Sequence, residues 1–287
     1  MISINTNYGG LYASKAASES QRTLDTAMER LSTGMRINYA KDDSAGQAIS
    51  TRLSAEVQGL EMASKNAADA QSMIDTAEGA LQETSNLLLR MRELAVQSAN
   101  GTLVQSDRDA LDAEFQALEA EIDRINSNTT FAGETLFNGS TKTFQVGVSA
   151  GNSNYIENSI ASMGPHNLGI DSDGADNNSS TTGDNVANAT LTSQANAQAM
   201  MTALDTAINS VSAERGKLGA VSNRLTSTMA NLDQVAVNLS ASQGRIQDAD
   251  FAAETSNLAK GQILQQAATA MLAQANASKQ TVLALVR

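Results

Sequence analysis

LSAEVQGLEMASKNAADAQSMIDTAEGALQETSNLLLRMRELA, residues 53–95, is the stretch that decides the fold. An apolar or small residue recurs in it every seven positions, at Leu53, Leu60, Ala67, Ile74, Leu81, Leu88 and Ala95. A companion track lies three residues on, at Ala63, Ala70, Ala77 and Met91, broken by Thr84. The pattern returns far down the chain as Leu204, Val211, Leu218, Leu225, Leu232 and Leu239, with Ile208, Met229 and Ala236 beside it. A seven-residue repeat keeps one stripe of a long helix facing a partner. The two stretches are therefore expected to pair as antiparallel helices, folding the chain back and bringing both termini to one end. A rod with two paired, sticky ends suits a subunit that builds something larger.

Composition agrees. The 287 residues are 41% hydrophobic but only 3% aromatic, with no Trp, so Leu, Ile, Val, Met and Ala must form the contacts. That favours close helix–helix packing over a bulky globular core. Pro165 is the single proline, so long helices run unbroken elsewhere. The net charge of −12 argues against nucleic acid and anionic membranes as partners, because both select Lys/Arg patches. Like subunits repel, so self-association must come from apolar burial and should gain from salt. With no Cys, disulfides, thiolate metal sites and Cys nucleophiles are excluded. No apolar run approaches a membrane span, and residues 1–7 lack the basic-then-apolar order of a cleaved secretory signal.

Residues 1–8 are irregular, and a helix is expected from Leu11 to Met35 with Ala17, Leu24, Met28, Leu31 and Met35 on one stripe. Asp43 or Ser44 caps the first long helix, and Asn100-Gly101 ends it. A third helix starts near Ser106-Asp107 and carries Leu111, Phe115, Leu118, Ile122 and Ile125. Phe144, Val146 and Val148 alternate as a short strand, and Asn138-Gly139 is a turn signal consistent with a hairpin before it. Residues 171–185 form a polar loop, the second long helix runs from about 190 to 240, and a last helix follows Gly244. Ordering residues 1–40 costs more conformational entropy than their few large apolar side chains return. Both ends are thus expected to fray in the free monomer and become helical when neighbouring copies add burial.

Catalysis finds little footing. His166 is the one histidine, beside Pro165 in a loop, and zinc sites and catalytic triads need histidine with placed partners. No Gly-rich phosphate loop precedes a Lys-Ser/Thr pair. Asp171, Asp173 and Asp176 lack the closing Glu of a calcium loop, and Gly174 is misplaced for one. No cofactor is implied. Arg90, Arg92 and Glu93 read as surface charges within one helical turn.

Three stretches are more specific. Leu31-Ser32-Thr33-Gly34-Met35-Arg36-Ile37-Asn38, continuing as Ala40-Lys41-Asp42-Asp43-Ser44-Ala45-Gly46-Gln47-Ala48-Ile49, resembles bacterial flagellin. So do Met91-Arg92-Glu93-Leu94-Ala95-Val96-Gln97-Ser98-Ala99-Asn100 and the C-terminal Gln262-Ile263-Leu264-Gln265-Gln266-Ala267, Leu272-Ala273-Gln274-Ala275-Asn276 and Val282-Leu283-Ala284-Leu285-Val286-Arg287. The resemblance covers about 1–165 and 190–287 and is to the short kind, whose outer domains shrink to a loop.

The resemblance implies a mainly α fold: a long antiparallel coiled-coil helical bundle with a small β-hairpin region, the terminal helices forming a coiled coil in the filament. It implies an inner core of 1–43 plus 245–287, a helical bundle with hairpin of 44–170 plus 190–244, and a surface loop at 171–189. It implies a structural, non-enzymatic subunit that polymerises into the extracellular flagellar filament for swimming. Export would run through the flagellar type III channel, without a cleaved signal. The implied partners are further copies of the chain, an export chaperone on the C-terminal helix, and the filament cap and hook-junction proteins. The polymerisation seams are assigned to Leu24, Met28, Leu31, Leu264, Met271, Val282 and Leu285. An Arg, a Leu and a Glu read by the animal innate receptor Toll-like receptor 5 match Arg90, Leu94 and Glu114, with a departure at Leu89, where Gln is common in the family. Ser172, Ser179, Ser180, Thr181 and Thr182 offer hydroxyls for glycosylation. The rival readings are a hook–filament junction protein and a secreted coiled-coil effector. A flagellin carrying a zinc protease is excluded by the single histidine.

Overall fold

The computed structural model describes residues 6–149, 151, 154–171 and 190–286, the side chains of 279–286 lying outside the description. The element order is α1 (Tyr8–Thr33), α2 (Ser44–Ser98), α3 (Gln105–Asn128), β1 (Thr130–Phe131), β2 (Glu134–Thr135), β3 (Thr141–Gln145), β4 (Tyr155–Ser159), α4 (Pro165–Leu168), α5 (Gln194–Gln247) and α6 (Phe251–Val286). The chain is mainly helical, with two small two-stranded antiparallel sheets. It divides into two compact units, residues 59–235 and residues 1–58 with 236–287.

In unit 59–235 the seven-residue tracks become the core. Leu60, Ala67, Ile74, Leu81, Leu88 and Ala95 are buried, as are Ala63, Ala70, Ala77 and Met91. Thr84, where the apolar track breaks, is also buried and donates its hydroxyl to the Ala80 carbonyl one turn back. Leu204, Val211, Leu218, Leu225 and Leu232 face them from α5. Polar bonds fix an antiparallel register along that pairing: Arg92 to Asp205, Arg215 to Glu78 and Gln71 to Ser222. Phe115 and Ile122 bring α3 into the same core, so α2 has two neighbours here. α3 starts at Gln105, one residue before the expected pair, and Asp107 accepts the Val104 N–H across its first turn.

The hairpin before Asn138-Gly139 is β1–β2, and its tip is Ala132-Gly133, both in the left-handed region at φ 52° and 84°. β3 pairs with β4 from Thr141↔Ser159 to Gln145↔Tyr155. The expected strand therefore sits three residues early. Val146 is buried at its end, its N–H donating to the Asn154 carbonyl, while Val148 is exposed beyond the pairing.

A polar clasp holds the return of the chain onto this core. Leu191 is fully buried, its N–H bonded to Asp112 Oδ1 at 2.6 Å and its carbonyl to the Ser98 hydroxyl at 2.7 Å. Arg108, itself buried, donates to the carbonyls of Ser98 and Asn100, satisfying the open end of α2. Asp112→Ala leaves a buried N–H without its acceptor and is expected to cost about 1–3 kcal/mol, read as a lower urea midpoint at unchanged slope. A shift under about 0.5 kcal/mol would show that the clasp is dispensable.

In the other unit, α1 opens on Asn7, whose Oδ1 accepts the Gly10 N–H, and closes on Gly34 in the left-handed conformation at φ 73°. α1 and α6 pair along their lengths. α2 opens on Asp43, which accepts the Gly46 N–H. α5 runs through Gly244 to Gln247, past the expected break. The break falls at Asp248-Ala249-Asp250 because Asp250 Oδ1 accepts the N–H groups of Ala252 and Ala253 and starts α6. The two connectors pair with each other: Arg36 N–H donates to the Gln247 carbonyl at 2.7 Å and Ala249 N–H to the Gly34 carbonyl at 2.9 Å.

Candidate functional site

The terminal pair α1–α6 is built from small residues where its helices meet. Ala13, Ser20 and Ala27 are buried on α1, and Gly261 and Ala268 on α6. Half-buried Ala17, Leu24 and Leu31 continue the stripe on α1, and half-buried Leu258, Gln265, Leu272 and Ala275 continue it on α6. The spacing alternates between three and four residues on both helices, the geometry of a coiled-coil stripe. Contacts of Gly9 with Ala275 and of Leu24 with Gly261 make the pair antiparallel. A Cβ on Gly261 would stand 3.4 Å from that of Leu24, so glycine permits the approach. Polar contacts pin the register: Asn7 Nδ2 to the Ala275 carbonyl at 3.3 Å, Gln265 Nε2 to Gln21 Oε1 at 2.5 Å, and Arg30 with Glu254 at 3.7 Å.

Other large apolar side chains of this pair point away from the seam. Tyr8, Leu11, Tyr12 and Met28 on α1, and Phe251, Ile263, Leu264 and Met271 on α6, are all exposed. Met28 thus leaves the stripe expected for it and lies 54% exposed beside it. Of the assigned polymerisation residues, Leu24 and Leu31 are half-buried within the pair, and Met28, Leu264 and Met271 face outward. The side chains of Val282 and Leu285 lie outside the described residues, as do Ser172, Ser179, Ser180, Thr181 and Thr182.

The Arg90 surface is separate, on unit 59–235. Arg90 donates through Nε and Nη2 to Glu114 Oε1, at 3.1 and 2.8 Å, and through Nη1 to Glu93 at 2.9 Å. The Glu114 and Glu93 hydrogen bonds raise its pKa above the ordinary guanidinium value. Leu94 does not join this surface. It is 1% exposed in the core, since α3 covers that side of α2, and the apolar side chain exposed next to Arg90 is Leu89. Next along, Arg92 bonds Asp205 and holds its carboxyl below the usual carboxylate range. Such a contribution is present above about pH 4 and is lost as pH falls through the carboxylate range. His166 lies in the short helix α4 rather than a loop, 3.5 Å from Asp171, beside a cleft of about 410 Å³ that Glu119 and Asp123 also line. Among the described residues no group of three or more His, Asp or Glu side chains is arranged to hold a metal.

Residues 4–142 match the family model of the bacterial flagellin N-terminal helical region, and residues 201–286 that of the C-terminal helical region. The chain belongs to the bacterial flagellin family. It is 43% identical to a flagellin of Halalkalibacterium halodurans over 91% of each chain, and 42% identical to the flagellin of Bacillus subtilis over 99% of each. A solved structure titled as a putative flagellar hook-associated protein of Vibrio parahaemolyticus superposes with a TM-score of 0.60 at 17% identity, over 72% of this chain and all of that one. That likeness is one of fold. The full-length flagellin relatives favour a filament subunit over a hook–filament junction protein.

Proposed function

We infer that this flagellin is a structural subunit that polymerises into the flagellar filament and that its terminal helix pair drives assembly. One observation carries the reading. The pair buries Gly, Ala and Ser in its seam, half-buries Leu24, Leu31, Leu258 and Leu272 beside them, and leaves Leu264, Met271, Met28 and Tyr12 in water. Exposed apolar side chains on one segment mark a contact surface, and in a homopolymer the contact is another copy. The test is seeded elongation of the purified chain with added salt, watched by electron microscopy. Long filaments are expected; a stable monomer under every salt condition would return the hook-junction or effector reading.

The family reading extends further. The layers nearest to and farther from the filament axis are assigned to 1–43 with 245–287 and to 44–170 with 190–244. Residues 171–189 are assigned as the surface loop that replaces outer domains, and their Ser and Thr hydroxyls as candidates for glycosylation. Secretion follows the flagellar type III route, with a chaperone shielding α6 until assembly, and the filament grows between hook-junction proteins and a distal cap. The chain performs no catalysis.

Recognition by Toll-like receptor 5 is assigned to Arg90 and Glu114, with Leu89 supplying the apolar contact and Leu94 holding the helix from within. An exposed Arg beside an apolar side chain suits a hot spot, because its planar fork and stem desolvate together. Its ion pairs are exposed and contribute little to folding. Arg90→Ala is therefore expected to lower receptor signalling by monomer at least about tenfold while the chain still folds and elongates. Unchanged signalling removes the assignment.

A further inference from the structure

The chain has no cysteine and eleven methionines, so thioethers carry its redox-labile sulfur. Among the described residues they range from buried, through half-buried Met35, Met201 and Met229, to exposed. Met73, Met91, Met163 and Met200 are packed in the core, whereas Met28, Met62 and Met271 are 54%, 54% and 64% exposed. Two of the exposed three lie on the terminal pair, one per helix. Met271 follows Leu264 by seven residues, on the same exposed stripe. Met62 is equally exposed but belongs to unit 59–235.

We propose that Met28 and Met271 are oxidation sites that switch off assembly of the monomer. The inference rests on the reading that a second copy covers the outward faces of α1 and α6. Hydrogen peroxide delivers one oxygen to the thioether. A sulfur–oxygen bond forms, the peroxide O–O bond breaks, and water leaves. Sulfur is oxidised by two electrons and the peroxide is reduced by two. The product is a polar sulfoxide in place of a flexible apolar side chain. In the free monomer the new oxygen is solvated at no cost. On assembly it must be buried against a face that carries Leu264, which offers no donor, so its desolvation costs association. The penalty falls on association and leaves the fold of unit 59–235 untouched. Once covered, the same sulfurs are sheltered, so susceptibility follows assembly state.

The test uses the full chain. Monomer is exposed to hydrogen peroxide, sulfoxide at each methionine is quantified by peptide mass spectrometry, and seeded elongation is then measured. Met28, Met62 and Met271 are expected to oxidise at least about tenfold faster than Met91 and Met200, since susceptibility follows exposure. Oxidised wild type is expected to elongate at least about tenfold more slowly than untreated chain, two unpartnered sulfoxides being buried per contact. The Met28→Leu/Met271→Leu chain, a volume-conserving change, should elongate before and after peroxide. Met62→Leu should give no protection. Equal loss of elongation in the double variant, or undiminished elongation of oxidised wild type, overturns the proposal and leaves the filament reading standing. Untreated wild type that never elongates overturns the filament reading and the proposal together. If the double variant fails before treatment, methionine sulfoxide reductases decide on oxidised wild type: recovery supports the proposal and lack of recovery overturns it.

Discussion

A chain lacking residues 1–40 and 250–287 is expected to form no filaments under conditions in which the intact chain elongates seeds. The deletion removes α1 and α6, and with them the outward stripes at Leu11 and Met28 on one helix and at Ile263 and Met271 on the other. It leaves the core of residues 59–235, which has its own buried Phe115, Leu88 and Leu204 and should keep its helical signal and cooperative unfolding. The truncated chain has lost the outward apolar stripes of the terminal pair, whose burial would offset repulsion between like-charged copies. A gentler version substitutes Gly261→Leu. The site already stands 3.4 Å from Leu24 at its Cβ position, so three further carbons overpack the α1–α6 seam by about 1–3 kcal/mol and separate the helices. Elongation should slow even though no outward side chain has changed. Filaments from the truncated chain in ordinary yield would sink the assignment of assembly to the terminal pair.

Phe115→Ala is expected to lower the stability of the monomer by about 3–5 kcal/mol, the range for emptying a buried aromatic site. Phe115 is fully buried where α3 meets the core and is among the chain's few aromatic side chains, so its neighbours have little large volume with which to refill the space. Against a typical total of about 5–15 kcal/mol, the loss is large enough to leave a fraction of the chain unfolded at 37 °C. Urea unfolding followed by far-ultraviolet circular dichroism measures it. A loss below about 1 kcal/mol would mean that α3 shifts to close the cavity.

Large residues at period seven made the α2–α5 core legible. Leu60, Ile74, Leu81, Leu88 and the α5 leucines are where the repeat puts them, since a long helix has one stripe to bury and large apolar groups occupy it. The terminal seam is legible only in part. Ala17, Leu24 and Leu31 lie on the stripe that the spacing predicts, but Ala13, Ser20, Ala27 and Gly261 carry little hydrophobic signal, and the larger Met28, Leu264 and Met271 lie on the outer faces. Shape complementarity between small residues is visible in coordinates and nearly silent in a hydropathy pattern. Leu94 illustrates a second limit. Motif matching placed it beside Arg90 on the helix, but whether a residue faces outward depends on how many neighbours the helix has, and α3 supplies the second. Gly244 illustrates a third: a glycine inside a strongly paired helix is tolerated, and the stop is set one turn later by the capping Asp250.

The fastening of Ile170 and Leu191 bears on how this chain can change over generations. Both side chains are fully buried in the core, one at each edge of residues 171–190, and the second is gripped through its backbone by Asp112 and Ser98. Between those anchors, Asp171 and Thr190 still bond α4 and α5, through His166 and Asn196. A segment entered and left through buried anchors is expected to accept substitution and insertion at little cost to the helical core it joins. The core and the segment it brackets can in this way change at different rates.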